Sequence, residues 1–190
     1  MNNSRRSFIK NSSATLAGLG LMEFFPADMY AKVRNKVGAN DKINIGLIGL
    51  KNQGFNNIRA FLKVKDINVL AICDIDDEQI NKRKEDLSKL GVNNLLIYKD
   101  YRKLLENKDI DAVLIATPDH WHCLQLTDAL SAGKHVYCEK PWTLNAGEAQ
   151  TSLRALADAG LKVGIGHNRR FAPNTLAMEK ILDDGELGTP

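Results

Sequence analysis

The chain has 190 residues, 44% of them hydrophobic and 26% charged, with a formal net charge of +3. That is enough for one domain plus a leader, and the apolar fraction is that of a globular protein. The charge is small and scattered, with no Lys/Arg block or aromatic-interleaved basic stripe, which argues against a nucleic-acid surface. Three cysteines, Cys73, Cys123 and Cys138, form no C-x-x-C pair, which argues against a zinc or thioredoxin-like site. Cys73 and Cys138 stand in apolar runs and read as small buried hydrophobes. The count is compatible with one disulfide, and the sequence does not pair it.

At the amino end, Ser4-Arg5-Arg6-Ser7-Phe8-Ile9-Lys10 matches the twin-arginine export pattern S-R-R-x-F-x-K. The mildly apolar stretch Ala14 to Met22 behind it is too short for a stable membrane span. Residues 1–31 are therefore read as a leader that passes the twin-arginine translocon and delivers the folded protein to the periplasm or beyond. Ala27 and Ala31 are candidate last leader residues, although Phe25 and Met29 stand where cleavage prefers a small residue. Residues 32–42 are charged and polar and read as a linker.

From there, short apolar runs alternate with helix-like stretches. Strands are predicted at Ile43–Ile48, Val69–Cys73, Leu95–Ile97, Asp111–Ala116, Val136–Cys138 and Lys162–Ile165. Between them, Gly49 to Gly54 reads as a turn and Asn57–Val64 as a helix. A second helix is capped by Asp76 and stops at Gly91; Tyr101–Glu106 forms a short one. Another is capped by Asp119 and ends at Gly133, and the next is capped by Asn145 and ends near Gly160. A last helix covers residues 174–184. Continuous apolar strands alternating with helices mean a parallel sheet covered on both faces, an α/β class. Six such strands fit the doubly wound order 3-2-1-4-5-6 of a nucleotide-binding Rossmann-type sheet.

Ligands of such sheets sit at the carboxyl ends of the strands. The turn Gly49-Leu50-Lys51-Asn52-Gln53-Gly54 occupies the place of G-x-G-x-x-G, with the first and third glycines present and Lys51 at the second. Lys51 there either swings out to pair with a phosphate or holds a cofactor slightly further off. Asp74 ends the second strand, 20 residues after Gly54. A carboxylate at that position accepts from ribose hydroxyls and repels a 2′-phosphate, favouring NAD over NADP; its other reading is a strand-end turn cap. Two further clusters end later strands: Thr117-Pro118-Asp119-His120-Trp121-His122 and Glu139-Lys140-Pro141. They carry imidazoles and an amine, groups suited to proton transfer. His120 and His122 have no third ligand in sequence, which disfavours a metal site. Trp121 reads as packing or as stacking on a ring, Lys140 otherwise as a surface lysine, and Arg169-Arg170 as a solvated turn or as groups reaching a ligand.

Three segments carry a family resemblance: Asp111-Ala112-Val113-Leu114-Ile115-Ala116-Thr117-Pro118, then Ala132-Gly133-Lys134-His135-Val136-Tyr137-Cys138-Glu139-Lys140-Pro141, then Gly166-His167-Asn168-Arg169-Arg170-Phe171. In this order and spacing, residues 43–190 resemble the N-terminal NAD(P)-binding domain of the Gfo/Idh/MocA oxidoreductases. The resemblance implies a dinucleotide-binding domain over residues 43–170. Residues 171–190 would then be a connecting helix toward a second α/β domain that carries the sugar site and the dimer surface. It implies that this chain stops short of that domain and that a homo-oligomer is expected only for a form possessing it. It implies hydride transfer between a nicotinamide and a sugar or cyclitol. Thr117 and Pro118 would pass beneath the nicotinamide ribose, His120 and His122 would line the crevice, and Glu139 would contact the cofactor near the nicotinamide. Lys140 would serve beside the reacting carbon as acid/base or orienting group, Asn168 would touch cofactor or substrate, and Arg169 substrate. Exported relatives include NAD-dependent glycosidases of family 109, which often have another residue after the Glu; Lys140 leans toward a dehydrogenase. A non-enzymatic nucleotide- or sugar-binding module is the remaining expectation.

Overall fold

A computed structural model describes residues 42–188; the leader, and the linker up to residue 41, lie outside the described residues. Six strands, β1 (Ile43–Ile48), β2 (Ile67–Cys73), β3 (Leu96–Tyr98), β4 (Ala112–Ile115), β5 (His135–Cys138) and β6 (Val163–Ile165), alternate with six helices. These are α1 (Asn52–Phe61), α2 (Asp77–Lys89), α3 (Tyr101–Glu106), α4 (His122–Ser131), α5 (Ala146–Ala159) and α6 (Pro173–Asp183). The strands form one parallel sheet in the order β3-β2-β1-β4-β5-β6, the predicted doubly wound topology. The chain reverses direction across the sheet between β1 and β4, so the crevice opens there, at the carboxyl ends. No helix of the described residues is long and apolar enough to cross a membrane.

Alternation along the strands explains why both faces are covered. Ile45 and Leu47 of β1 and Leu114 of β4 pack with Ile58 of α1 and Ile80 and Leu87 of α2. Ile48, Val113 and Ile115 point the other way, to Leu104 of α3 and Leu126 and Ala129 of α4. Each fully buried Leu or Ile contributes about 2 kcal/mol. At Gly46 a Cβ would lie 2.8 Å from Leu104 Cδ2, so the missing side chain is what lets α3 approach the central strand.

Several boundaries moved from the sequence reading. α1 starts at Asn52, inside the predicted turn, because its polar first turn is satisfied by a buried carboxylate described below rather than by an apolar face. β2 begins at Ile67 because Ile67 and Asn68 ladder with Ile43 and Asn44, and Asn68 Nδ2 donates to Asn44 Oδ1 at 2.7 Å; a polar sheet entry leaves no apolar run. Asp76 caps α2 through Glu78 N and Gln79 N, and Asn145 caps α5 through Glu148 N. Asp119 does not cap α4: it lies in a 3-10 turn, Asp119–Trp121, and Trp121 stands at the cap position without a side-chain bond.

All three cysteines are buried and free. Burial, then the neighbouring Asp74, pushes the Cys73 thiol up to about 12 from 9.0. Burial, then Glu139, does the same to Cys138, also to about 12. Because the folded values are raised, this contribution to stability is complete below pH 9 and is lost as pH climbs toward 12. Denaturant midpoints measured from pH 8 to 10.5 should fall with a steeper slope in the wild type than in a Cys73→Ala/Cys138→Ala double variant; equal slopes would remove the thiols from the account.

Candidate functional site

Sheet register delivers the site residues to one level. Ile48 is paired with Cys73 and with Ile115, Ile115 with Cys138, and Cys138 with Ile165. The residues that follow are Gly49, Asp74, Ala116, Glu139 and Gly166. Gly49 N donates to Cys73 O at 2.9 Å, Ala116 N to Ile48 O at 2.8 Å, Glu139 N to Ile115 O at 2.9 Å and Gly166 N to Cys138 O at 2.8 Å. The polar strand ends therefore form a single row along the crevice.

The β1–α1 turn requires its two glycines. Gly49 has φ +90 and a Cβ there would lie 2.7 Å from the Ala116 backbone; a Cβ on Gly54 would lie 2.0 Å from Gly49 O. Leu50 between them is held at both ends of its backbone. Its N–H donates to Asp74 Oδ2 at 2.8 Å, and its carbonyl accepts from Arg83 Nε at 3.0 Å. Lys51 stands exposed at the N-cap of α1, in extended backbone, with Asn52 exposed beside it.

Asp74 Oδ1 also accepts from Asp76 N at 3.1 Å. The turn-capping reading of Asp74 is thus present in the structure. It does not exhaust the carboxylate, whose two oxygens offer about four lone-pair sites. Asp74 lines a cavity of about 550 Å³ together with Gly49, Lys51, Thr117, Pro118 and Trp121. Tyr101 and Trp121 meet edge to face there, with centroids 6.5 Å apart. Thr117 and Pro118 share their cavity with Asp74, whereas Glu139, Lys140, His120 and Asn168 are not among its lining residues.

His122 is turned into the protein. It is 1% exposed, with Nδ1 2.6 Å from Pro141 O and Nε2 2.8 Å from Thr117 O. Both ring nitrogens face backbone carbonyls, so His122 sits between the β4 and β5 loops and can donate to at least one of them. His120 is exposed, 6.0 Å from the Trp121 ring. Among the described residues no group of three or more His, Cys, Asp and Glu is placed to hold a metal.

Glu139 is also an anchor. It is 5% exposed; Oε1 accepts from Asn57 Nδ2 at 2.6 Å and Gln53 Nε2 at 3.1 Å, and Oε2 from Lys140 N at 3.3 Å. Gly166 closes over it, since a Cβ there would lie 2.8 Å from Oε1. The Gln53 side chain is thereby directed at Glu139 and Asn57. Lys140 itself is exposed, next to a cis bond to Pro141. Asn168 and Arg169 are exposed in the turn Asn168–Phe171 after β6, and Tyr137 Oη donates to Asn168 Oδ1 at 3.1 Å. Burial, then Glu139, raises the Tyr137 phenol, which keeps it a donor.

Sequence reasoning missed Asn57, Arg83, Gln125 and Lys134. Gln125 Oε1 accepts from Thr117 Oγ1 at 2.7 Å, which orients the β4 end. Polar residues on otherwise apolar helix faces, Asn57 one position before Ile58 and Gln125 one before Leu126, were the available signal.

With this geometry in view, known proteins fall into a consistent group. Residues 43–167 match the GFO_IDH_MocA family model, described as an oxidoreductase family with an NAD-binding Rossmann fold. A myo-inositol 2-dehydrogenase of Thermotoga maritima is 31% identical over 148 residues, 78% of this chain and 43% of its own. A glycosyl hydrolase family 109 protein of Saccharopolyspora erythraea is 27% identical over 97% of this chain and 43% of its own length. Among solved structures, scyllo-inositol dehydrogenase from Lactobacillus casei with bound NAD(H) and scyllo-inositol has a TM-score of 0.69 at 27% identity, covering 78% of this chain and 43% of that one. The chain thus spans less than half the length of the relatives it matches. By its strand order, its glycine turn and the match over residues 43–167, the chain belongs to the GFO_IDH_MocA oxidoreductase family, within its NAD-binding Rossmann fold.

Proposed function

We propose that the chain is the dinucleotide-binding part of an exported, NAD-dependent oxidoreductase that moves hydride between a nicotinamide and a carbon of a sugar or cyclitol. The observation that carries this reading is the single cavity joining the glycine turn, Asp74 and Thr117-Pro118. Its residues fit a dinucleotide. Gly49 and Gly54 leave the turn without side chains, Lys51 brings a cation to it, and Asp74 retains acceptor capacity for ribose hydroxyls while repelling a 2′-phosphate. Ile75, Pro118 and Trp121 offer apolar walls for a base.

A bound nicotinamide supplies the hydride acceptor. The chain's own contribution to chemistry is Lys140, which stands exposed at the end of β5 and takes the proton from the substrate hydroxyl as its C–H is oxidised. In this reading the remaining substrate contacts belong to a second domain, and the greater length of the relatives is what supports it. Export rests on the Ser4–Lys10 pattern, and cell fractionation checks it.

Calorimetry should show NAD binding more tightly than NADP. In a form carrying a second domain, Lys140→Met should lower kcat at least about 100-fold and leave NAD affinity within about twofold; unchanged turnover would sink the role of Lys140. A second reading, a family 109 type glycosidase, is favoured by the Saccharopolyspora match, which runs through the residues ahead of β1. It predicts release of an aryl glycoside with catalytic NAD and no net NADH, whereas the dehydrogenase accumulates NADH. NAD binding with neither signal would point to a binding module.

A further inference from the structure

We infer that Arg83 is a positioning residue for the phosphate-binding turn, acting through the Leu50 carbonyl. Arg83 is on α2, outside every motif read from the sequence, and is 7% exposed. Its Nε donates to Leu50 O at 3.0 Å, its Nη1 pairs with Asp86 Oδ2 at 2.7 Å, and its guanidinium carbon lies 4.3 Å from the centroid of the Phe55 ring. One planar group therefore grips the turn at Leu50 and the start of α1 at Phe55, while Asp86 holds its other edge.

The consequence lies in the peptide between Leu50 and Lys51. In a trans peptide the C=O and the N–H point in opposite directions, and the cis bond among the described residues is Lys140–Pro141. Arg83 is 7% exposed and reaches Leu50 O from α2, so the carbonyl it binds is turned into the protein and away from the open cavity. The Lys51 N–H in the same plane is turned toward it, where an anion would sit at the start of α1. Asp74 fixes the preceding plane through the Leu50 N–H. A turn that lacks the second glycine has lost one means of presenting its backbone to phosphates, and Arg83 supplies another by locking the plane. The inference rests on the dinucleotide reading, and it assigns Arg83 to the diphosphate and not to the adenosine.

The test is an NMR titration of the ¹⁵N-labelled 190-residue chain with ADP and, separately, with adenosine, for wild type, Arg83→Met and Arg83→Lys. Met keeps an apolar stem against Phe55 and has no donor; Lys keeps a donor. Arg83→Met should weaken ADP about tenfold, the scale of one lost orienting hydrogen bond, with adenosine changed less than twofold. The shift of the Lys51 amide on ADP addition should shrink in Arg83→Met and return in Arg83→Lys, together with most of the affinity. Where Arg83→Met does not fold, Arg83→Leu, which also lacks a donor to Leu50 O, should show the same split. Unchanged ADP affinity overturns the assignment, as does equal weakening of ADP and adenosine, which marks a general structural role. Absence of ADP binding by the wild type overturns the dinucleotide reading itself, and this inference with it.

Discussion

Gly54→Ala is expected to remove dinucleotide binding and to destabilise the fold at the same time. The added methyl would stand 2.0 Å from Gly49 O, and its next neighbours are the Gly49 carbonyl carbon at 3.1 Å and the Ala116 side chain at 3.3 Å. The first obstacle is backbone of the turn itself, so no side-chain rotation relieves it. The turn has to open, and Leu50 is held at both ends by Asp74 and Arg83, so opening it breaks those bonds as well. Overpacking of this kind costs about 1–3 kcal/mol. Because the cost falls on the phosphate turn, NAD affinity should drop about 100-fold or more, equivalent to about 3 kcal/mol. Gly164→Ala is the control, since its methyl would meet Tyr137 Cδ2 at 3.6 Å, an ordinary contact. Calorimetry and thermal melts of the two variants check this, and a Gly54→Ala protein that binds NAD like the wild type would contradict the close approach of α1 to the turn.

Lys134→Met should cost about 3 kcal/mol and lower Tm by about 10 °C in a protein of this size. Lys134 is 2% exposed. Its Nζ donates to Asn107 O at 2.6 Å and Ile110 O at 2.8 Å, the carbonyls of the segment that links α3 to β4. Hydrogen bonds from a charged donor are the strong ones, and methionine would fill the space while leaving both carbonyls facing an apolar chain. The site lies elsewhere, so NAD affinity at 15 °C should stay within about twofold. A melting shift below 2 °C would mean that water replaces the amine.

These two residues illustrate what was legible. Gly54 was visible because its place, behind a strand and opening a helix, has few uses. Lys134 stood in the quoted run Ala132–Pro141 with no role, because nothing local distinguishes a lysine that snorkels into solvent from one that turns inward to two carbonyls 24 and 27 residues away. Glu139 and His122 show the same difference from the other side. Their positions beyond strand ends were read from the apolar runs before them. Their orientation was not. Glu139 turns into the protein because Gln53 and Asn57 of α1 offer two amides, and His122 because two loop carbonyls face its nitrogens.

The sequence by itself determined the fold class, the strand order and the level at which polar residues leave the sheet, because those depend on hydrophobic period, turn glycines and caps, all local in the chain. It also placed Asp74 and the glycine turn together, because the βαβ unit leaves little choice. Tertiary structure alone decided which polar side chains face the cavity and which are consumed in holding it. That division depends on hydrogen-bond partners far apart in sequence, such as Arg83 with Leu50 and Glu139 with Asn57, and a buried polar group goes wherever a partner removes the cost of its desolvation.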